Sequence, residues 1–252
     1  MVKGLRLFRE HFAELGGQYV LIGGTAAALA MADAGLEFRA TKDLDIVLHI
    51  EALTPTFGSA FWNFVEEGRY EVRQASDTGK PVLYRFQQPA SSGFPAMLEL
   101  FCRAPEGIYL AEGAHLTPIP FEEAVASLSA ILLDDEYYAF IINGRRNIDG
   151  LPWIGAEQLI PLKAYAWLDL NARKTAGEKV DSRDIRKHGN DVIRLSQLLT
   201  PDTQVALVPR IAAHLDRFLV GLIADGTHDP KELRIDLSLV EVADRLRRTY
   251  VT

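Results

Sequence analysis

Tyr19-Val-Leu-Ile-Gly-Gly-Thr-Ala-Ala-Ala-Leu-Ala30, followed by Thr41-Lys-Asp-Leu-Asp-Ile-Val-Leu48, decides how the chain is read. An apolar run enters a Gly-Gly-Thr turn, an Ala-rich helical segment leaves it, and an Asp-x-Asp pair opens a second apolar run. Gly23 and Gly24 let a backbone approach phosphate, and the start of the following helix offers N–H donors to it. On a strand, Asp43 and Asp45 project to one face while Leu44, Ile46 and Leu48 project to the other. Two like charges so placed repel unless a cation sits between them, and paired carboxylates suit a hard divalent ion. The order therefore fits a protein that holds a nucleoside triphosphate and its metals.

Each piece is weak alone. Asp-x-Asp is common by chance, and Ile22-Gly-Gly-Thr-Ala-Ala matches neither the P-loop nor the dinucleotide fingerprint. A calcium loop is disfavoured because the residues after Asp43 lack the required turn chemistry. The combination carries the weight, and Leu98-Glu99-Leu100 adds a third acid in the middle of another apolar strand. A mid-strand acid needs a partner if it is buried.

Composition sets outer bounds. The chain has 252 residues, 48% hydrophobic and 24% charged, enough to bury a substantial core in one large domain or two small ones. No apolar run is long enough to span a bilayer, the start lacks a signal-peptide core, and the single Cys102 excludes an internal disulfide. These features predict a cytoplasmic protein with no membrane partner. A net charge of -7 argues against coating nucleic acid by bulk attraction. Lys163–Arg194 nevertheless holds eight Lys or Arg against five Asp or Glu, which suits a localised anion or a solvated helix face. Cys102 beside Arg103 reads as a buried strand cysteine rather than a nucleophile, and the six histidines lack zinc spacing.

Hydrophobic spacing predicts helices over 4–16, 25–34 and 57–67, and strands over 18–22, 43–50, 70–74, 82–87 and 97–103. After about residue 150 the pattern becomes helical, over 156–174, 181–199, 203–224 and 231–249. The expected architecture is α+β: a mixed or antiparallel sheet with helices in 1–150, then an all-helical domain in 151–252. A cleft between the halves is the natural ligand site.

The run h-Gly-Gly-(Thr/Ser), Asp-h-Asp-h, h-(Asp/Glu)-h resembles the nucleotidyltransferase superfamily with the polymerase-β-like core. Arg39-Ala-Thr-Lys-Asp-Leu-Asp45, Glu157-Gln-Leu-Ile-Pro-Leu-Lys-Ala-Tyr-Ala-Trp-Leu-Asp-Leu170 and Val180-Asp-Ser-Arg-Asp-Ile-Arg-Lys-His-Gly-Asn-Asp-Val-Ile-Arg-Leu195 make the likeness closer to the AbiEii-like branch, which includes toxins of type IV toxin–antitoxin systems. The resemblance covers about residues 18–199.

What it implies is a nucleotidyltransferase-type mixed sheet and transfer of a nucleoside monophosphate from an NTP to an acceptor hydroxyl. Asp43, Asp45 and Glu99 would ligate Mg²⁺ (or Mn²⁺), with Glu99 standing where relatives most often carry Asp. Gly23, Gly24 and Thr25 would hold the β- and γ-phosphates, Thr25 through its hydroxyl and N–H. Lys163 would contact the triphosphate, and Asp184 and Asp191 would orient or complete the site; from sequence alone Lys163 could equally snorkel from a core face. Lys187 and His188 could meet phosphate, the acceptor, or neighbouring acids. Arg39 and Lys42 could steady phosphate or simply solvate a loop. Implied partners are the NTP, a tRNA 3′ end or other RNA acceptor, and a cognate antitoxin. The alternative is a catalytically inactive nucleotide-binding or protein-interaction module of the same fold.

Overall fold

The computed structural model describes residues 2–72, 84–106, 116–119 and 129–251, the side chains of 129–132 aside. It divides into two compact units, Met1–Ala28 with Arg39–Ile154, and Leu29–Phe38 with Gly155–Thr252. The expected strands over 70–74 and 82–87 fall partly on residues 73–83, which lie outside the described residues.

The first unit carries a mixed sheet. Its strands are β1 (Tyr19–Ile22), β2 (Asp43–Leu48), β3 (Glu71–Val72), β4 (Arg85–Gln87), β5 (Met97–Cys102), β6 (Leu116–Pro118), β7 (Ser129–Leu132), β8 (Arg145–Ile148) and β9 (Leu151–Ile154). The main order is β3-β4-β5-β2-β1-β9-β8, with β7 pairing β5 and β6 pairing β7. β1 runs antiparallel to β2, β2 parallel to β5, and β4 antiparallel to β5.

Alternation gives this sheet two chemically different faces. The registers Tyr19↔Leu48, Leu21↔Ile46, Leu44↔Leu98 and Phe86↔Leu98 align apolar residues on one side. Aromatic residues of α1 (Leu5–His11) and α3 (Pro55–Gly68) pack there: Phe8 meets Tyr19 and Phe64 edge-on, and Phe61 and Trp62 meet Phe86. Phe8, Phe12, Phe57, Phe61, Phe64 and Phe86 are fully buried. Thr54 caps α3 by accepting from Phe57 N–H, and Pro55 suits the first helical turn. This aromatic cluster fixes the register of β2, because a one-residue slip would turn its acids into the core.

The first unit also extends the layout expected from sequence. One addition is α4 (Asp135–Asn143), capped by Asp134, whose carboxylate accepts from Glu136 N–H. Another is the β8–β9 hairpin, closed by Asp149 (φ 53°) and Gly150 (φ 78°) between the partners Ile148 and Leu151. Two consecutive positive φ angles in a two-residue loop are the hairpin turn for which Asp-Gly is the favoured pair.

The second unit is helical, with α5 (Ala156–Thr175), α6 (Ser182–Leu195), α7 (Pro209–Asp225) and α8 (Leu239–Thr249), plus a small parallel ribbon of β10 (Val205–Ala206) and β11 (Tyr250–Val251). A capping box of Ser238 and Glu241 starts α8. Helix α5 continues through Pro161. Proline has no N–H to offer the carbonyl four residues back, which is Glu157. The Tyr250 hydroxyl donates to that carbonyl instead, at 2.9 Å. Close helix approach uses two glycines: a Cβ on Gly221 would lie 2.8 Å from the Trp167 ring, and one on Gly189 would lie 2.4 Å from the His228 ring. Among the described residues no helix is long and apolar enough to cross a membrane.

Candidate active site

The diglycine bend joins β1 to α2 (Gly23–Asp33). Gly23 has φ +67°, a left-handed conformation that an L side chain resists. A Cβ there would also stand 1.8 Å from Asp45 Oδ2, so the absent side chain is what lets the carboxylate lie against the bend. At Gly24 a Cβ would fall 2.7 Å from Thr41 Oγ1 and 3.6 Å from Arg39 Nη2. The bend is thus packed against an acid on one side and a guanidinium on the other. Arg39 also donates to the Ala40 carbonyl at 3.4 Å.

Thr25 is fully buried, and its hydroxyl donates to the Asp43 carbonyl at 2.7 Å. That bond ties the first turn of α2 to the start of β2. The hydroxyl hydrogen is therefore engaged with backbone, whereas the family resemblance implies it as a phosphate donor. Lys42 is exposed, and its carbonyl accepts from Ala96 N–H at 2.9 Å.

Asp43 and Asp45 are half-buried on the sheet face opposite the aromatic core. The registers Ile22↔Asp45, Asp45↔Glu99 and Arg85↔Glu99 set Ile22, Asp45, Glu99 and Arg85 in one row across four strands. Sequence patterning points to the two acids of that row and misses the arginine. Arg85 bonds to Glu99 Oε1 through both Nε and Nη2. Glu99 is only 8% exposed, and the pairing supplies the partner that a buried mid-strand acid requires. Arg85 lies in Tyr84-Arg85-Phe86, and the signal that could have revealed it is a cation alternating with aromatics on a strand.

Asp43, Asp45 and Glu99 do not form a ready three-acid cluster: among the described residues no group of three His, Cys, Asp or Glu is arranged to hold a metal ion. The donor set fits a metal only in part. Asp43 and Asp45 share a face, and the space beside Gly23 is open to Asp45 because no Cβ fills it; Glu99 faces a guanidinium.

The remaining predicted residues belong to the helical unit and are described within it. Lys163 of α5 is 5% exposed and donates to Asp191 Oδ2 of α6 at 2.8 Å. Asp191 is 0% exposed, and Arg194 Nη1 stands 3.8 Å from its other oxygen. The lysine does not snorkel to solvent; it is half of a buried ion pair. Asp184, seven residues earlier on α6, is exposed, as is Lys187, while His188 is half-buried. The spacing that put Asp184 and Asp191 on one line of the helix thus spans two environments.

A second polar cluster sits beyond the other end of β2. Glu51 accepts from Arg103 Nε at 2.7 Å and from the Tyr138 hydroxyl at 2.6 Å. Burial pushes its carboxyl up, but these bonds and the nearby guanidinium outweigh that and hold it below the usual range. With His49, Asp135 and Asn143 they line a cavity of about 330 Å³. Cys102 is fully buried, and burial pushes its thiol up to about 12, which agrees with its reading as a core residue.

No protein-family model matches the chain, and no curated protein sequence does. Among solved structures it is similar to an antigenic nucleotidyltransferase-like protein from Paracoccidioides brasiliensis, at 16% identity over 98% of this chain and 91% of that one, with a TM-score of 0.46. It is also similar to JHP933 from Helicobacter pylori, at 17% identity over 96% of this chain and 85% of that one, with a TM-score of 0.39.

Proposed function

We propose that the chain transfers a nucleoside monophosphate from an NTP to an acceptor hydroxyl. The observation that carries this reading is the contact of Gly23 with Asp45: a left-handed bend at a helix start, placed against the acid of an Asp-x-Asp strand. Backbone N–H groups of the bend would hold the β- and γ-phosphates, with Arg39 beside Gly24 adding positive charge. Because the Thr25 hydroxyl is bonded to Asp43, Thr25 serves by fixing the bend to β2 and by its backbone.

Asp43 and Asp45 would hold Mg²⁺. When bound, such an ion lowers the pKa of an acceptor hydroxyl and offsets charge on the transferring phosphoryl group. The acceptor oxygen bonds to the α-phosphorus as the bond to the bridging oxygen breaks, and pyrophosphate leaves. Within the helical unit Lys163 is committed to Asp191 in a buried ion pair, so its part in this reading is to hold α5 against α6. Following the resemblance, the acceptor is an RNA 3′ hydroxyl, with tRNA the first choice, and growth inhibition relieved by a cognate antitoxin would follow.

The Glu99–Arg85 pair favours a second reading, a module that binds nucleotide without turnover. Incubation with each α-labelled NTP, Mg²⁺ and total RNA separates the two. Label transfer with pyrophosphate release supports the enzyme; nucleotide binding without release supports the module.

A further inference from the structure

We propose that Arg85 is a positioning residue that keeps Glu99 out of metal ligation, so that the chain works with one divalent cation on Asp43 and Asp45. The inference rests on the nucleotidyl-transfer reading above. Two-metal transfer needs acids enough to hold both ions about 4 Å apart, so a second ion here would draw on Glu99. Here the residue in register with Asp45 is Glu99, and the next residue in that row is Arg85.

Three features make the pairing lasting rather than incidental. Glu99 is buried and Arg85 half-buried, so neither is freely exchanged for water. Both bonding nitrogens of Arg85 converge on Oε1. A guanidinium keeps its charge at every physiological pH, so it cannot yield the site by deprotonating. Arg85 offsets the charge of Glu99, so the negative charge left for a cation on this face is that of Asp43 and Asp45. A second ion at Glu99 would stand beside a fixed positive group.

The test counts Mn²⁺ by electron paramagnetic resonance on the full chain with α,β-methylene nucleoside triphosphates. Wild type should hold one Mn²⁺ per nucleotide complex, without the broadening of two coupled ions. Arg85→Met should hold two. Arg85→Lys, which keeps the charge, should stay at one. Glu99→Gln should lose less than the roughly tenfold in Mn²⁺ affinity that even a supporting partner of a metal ligand is worth. Thermal melts establish that each variant is folded, and the Glu99→Gln result decides alone if Arg85→Met is not. Two ions in wild type falling to one in Glu99→Gln, or folded Arg85→Met remaining at one, would overturn the proposal. Failure of the underlying reading looks different: no Mn²⁺–nucleotide complex in wild type, or the same complex in Asp45→Asn.

Discussion

Gly23→Ala separates what the bend costs to build from what it does. Alanine at φ +67° carries a left-handed penalty of about 1–2 kcal/mol, and at about 2–4 °C per kcal/mol for a chain of this size that lowers Tm by roughly 2–8 °C. The structure adds a second effect. The new methyl would stand 1.8 Å from Asp45 Oδ2, well inside contact distance, so the carboxylate must swing away or the bend must open. Gly150→Ala is the control, because Gly150 has a similar φ of +78° and a methyl added there would meet nothing within 4 Å. Gly150→Ala should therefore show the conformational loss alone and leave nucleotide binding intact. Gly23→Ala should lower Tm further and weaken Mg²⁺–NTP binding, measured by calorimetry on both variants. If the two variants match in Tm and in nucleotide affinity, Gly23 is not holding Asp45 in place and the site reading fails.

Other outcomes follow from the packing. Asp191→Ala leaves Lys163 buried without that carboxylate and should cost about 3–5 kcal/mol in urea denaturation, while the double change Lys163→Met with Asp191→Leu should recover most of it. Tyr250→Phe removes the hydroxyl that serves the Glu157 carbonyl and should cost about 1–3 kcal/mol. Cys102 should resist thiol labelling at pH 8 in the native protein and react fully in urea. His228 is buried with Nδ1 at 2.8 Å from Asn190 Oδ1, and burial holds its pKa below the ordinary value. The unfolded chain then binds the extra proton first, so stability should fall as pH drops below about 6.5. His228→Gln should flatten that slope in melts taken from pH 7.5 to 5.

Much of the fold was legible because its signals are local. The apolar run, the glycine bend and the alternation of Asp43–Leu48 produced β1, α2 and β2 as expected. The Asp149-Gly150 turn is equally local, yet the strands expected from hydrophobic spacing stopped short of it; the sheet continues to Ile154. What sequence could not show was register. Glu99 reads as a third acid in isolation, and only the β4–β5 pairing brings Arg85 onto it. Burial was also out of reach. Asp184 and Asp191 share a helical line, but contact with α5 buries only the second, where Lys163 meets it.

The central claim is tested most directly with Asp45→Asn, which keeps the side-chain volume and removes the charge facing Gly23. With α-labelled NTP, Mg²⁺ and total RNA, wild type should label an acceptor and release pyrophosphate, and the folded variant should do neither. Undiminished transfer by Asp45→Asn would contradict the account.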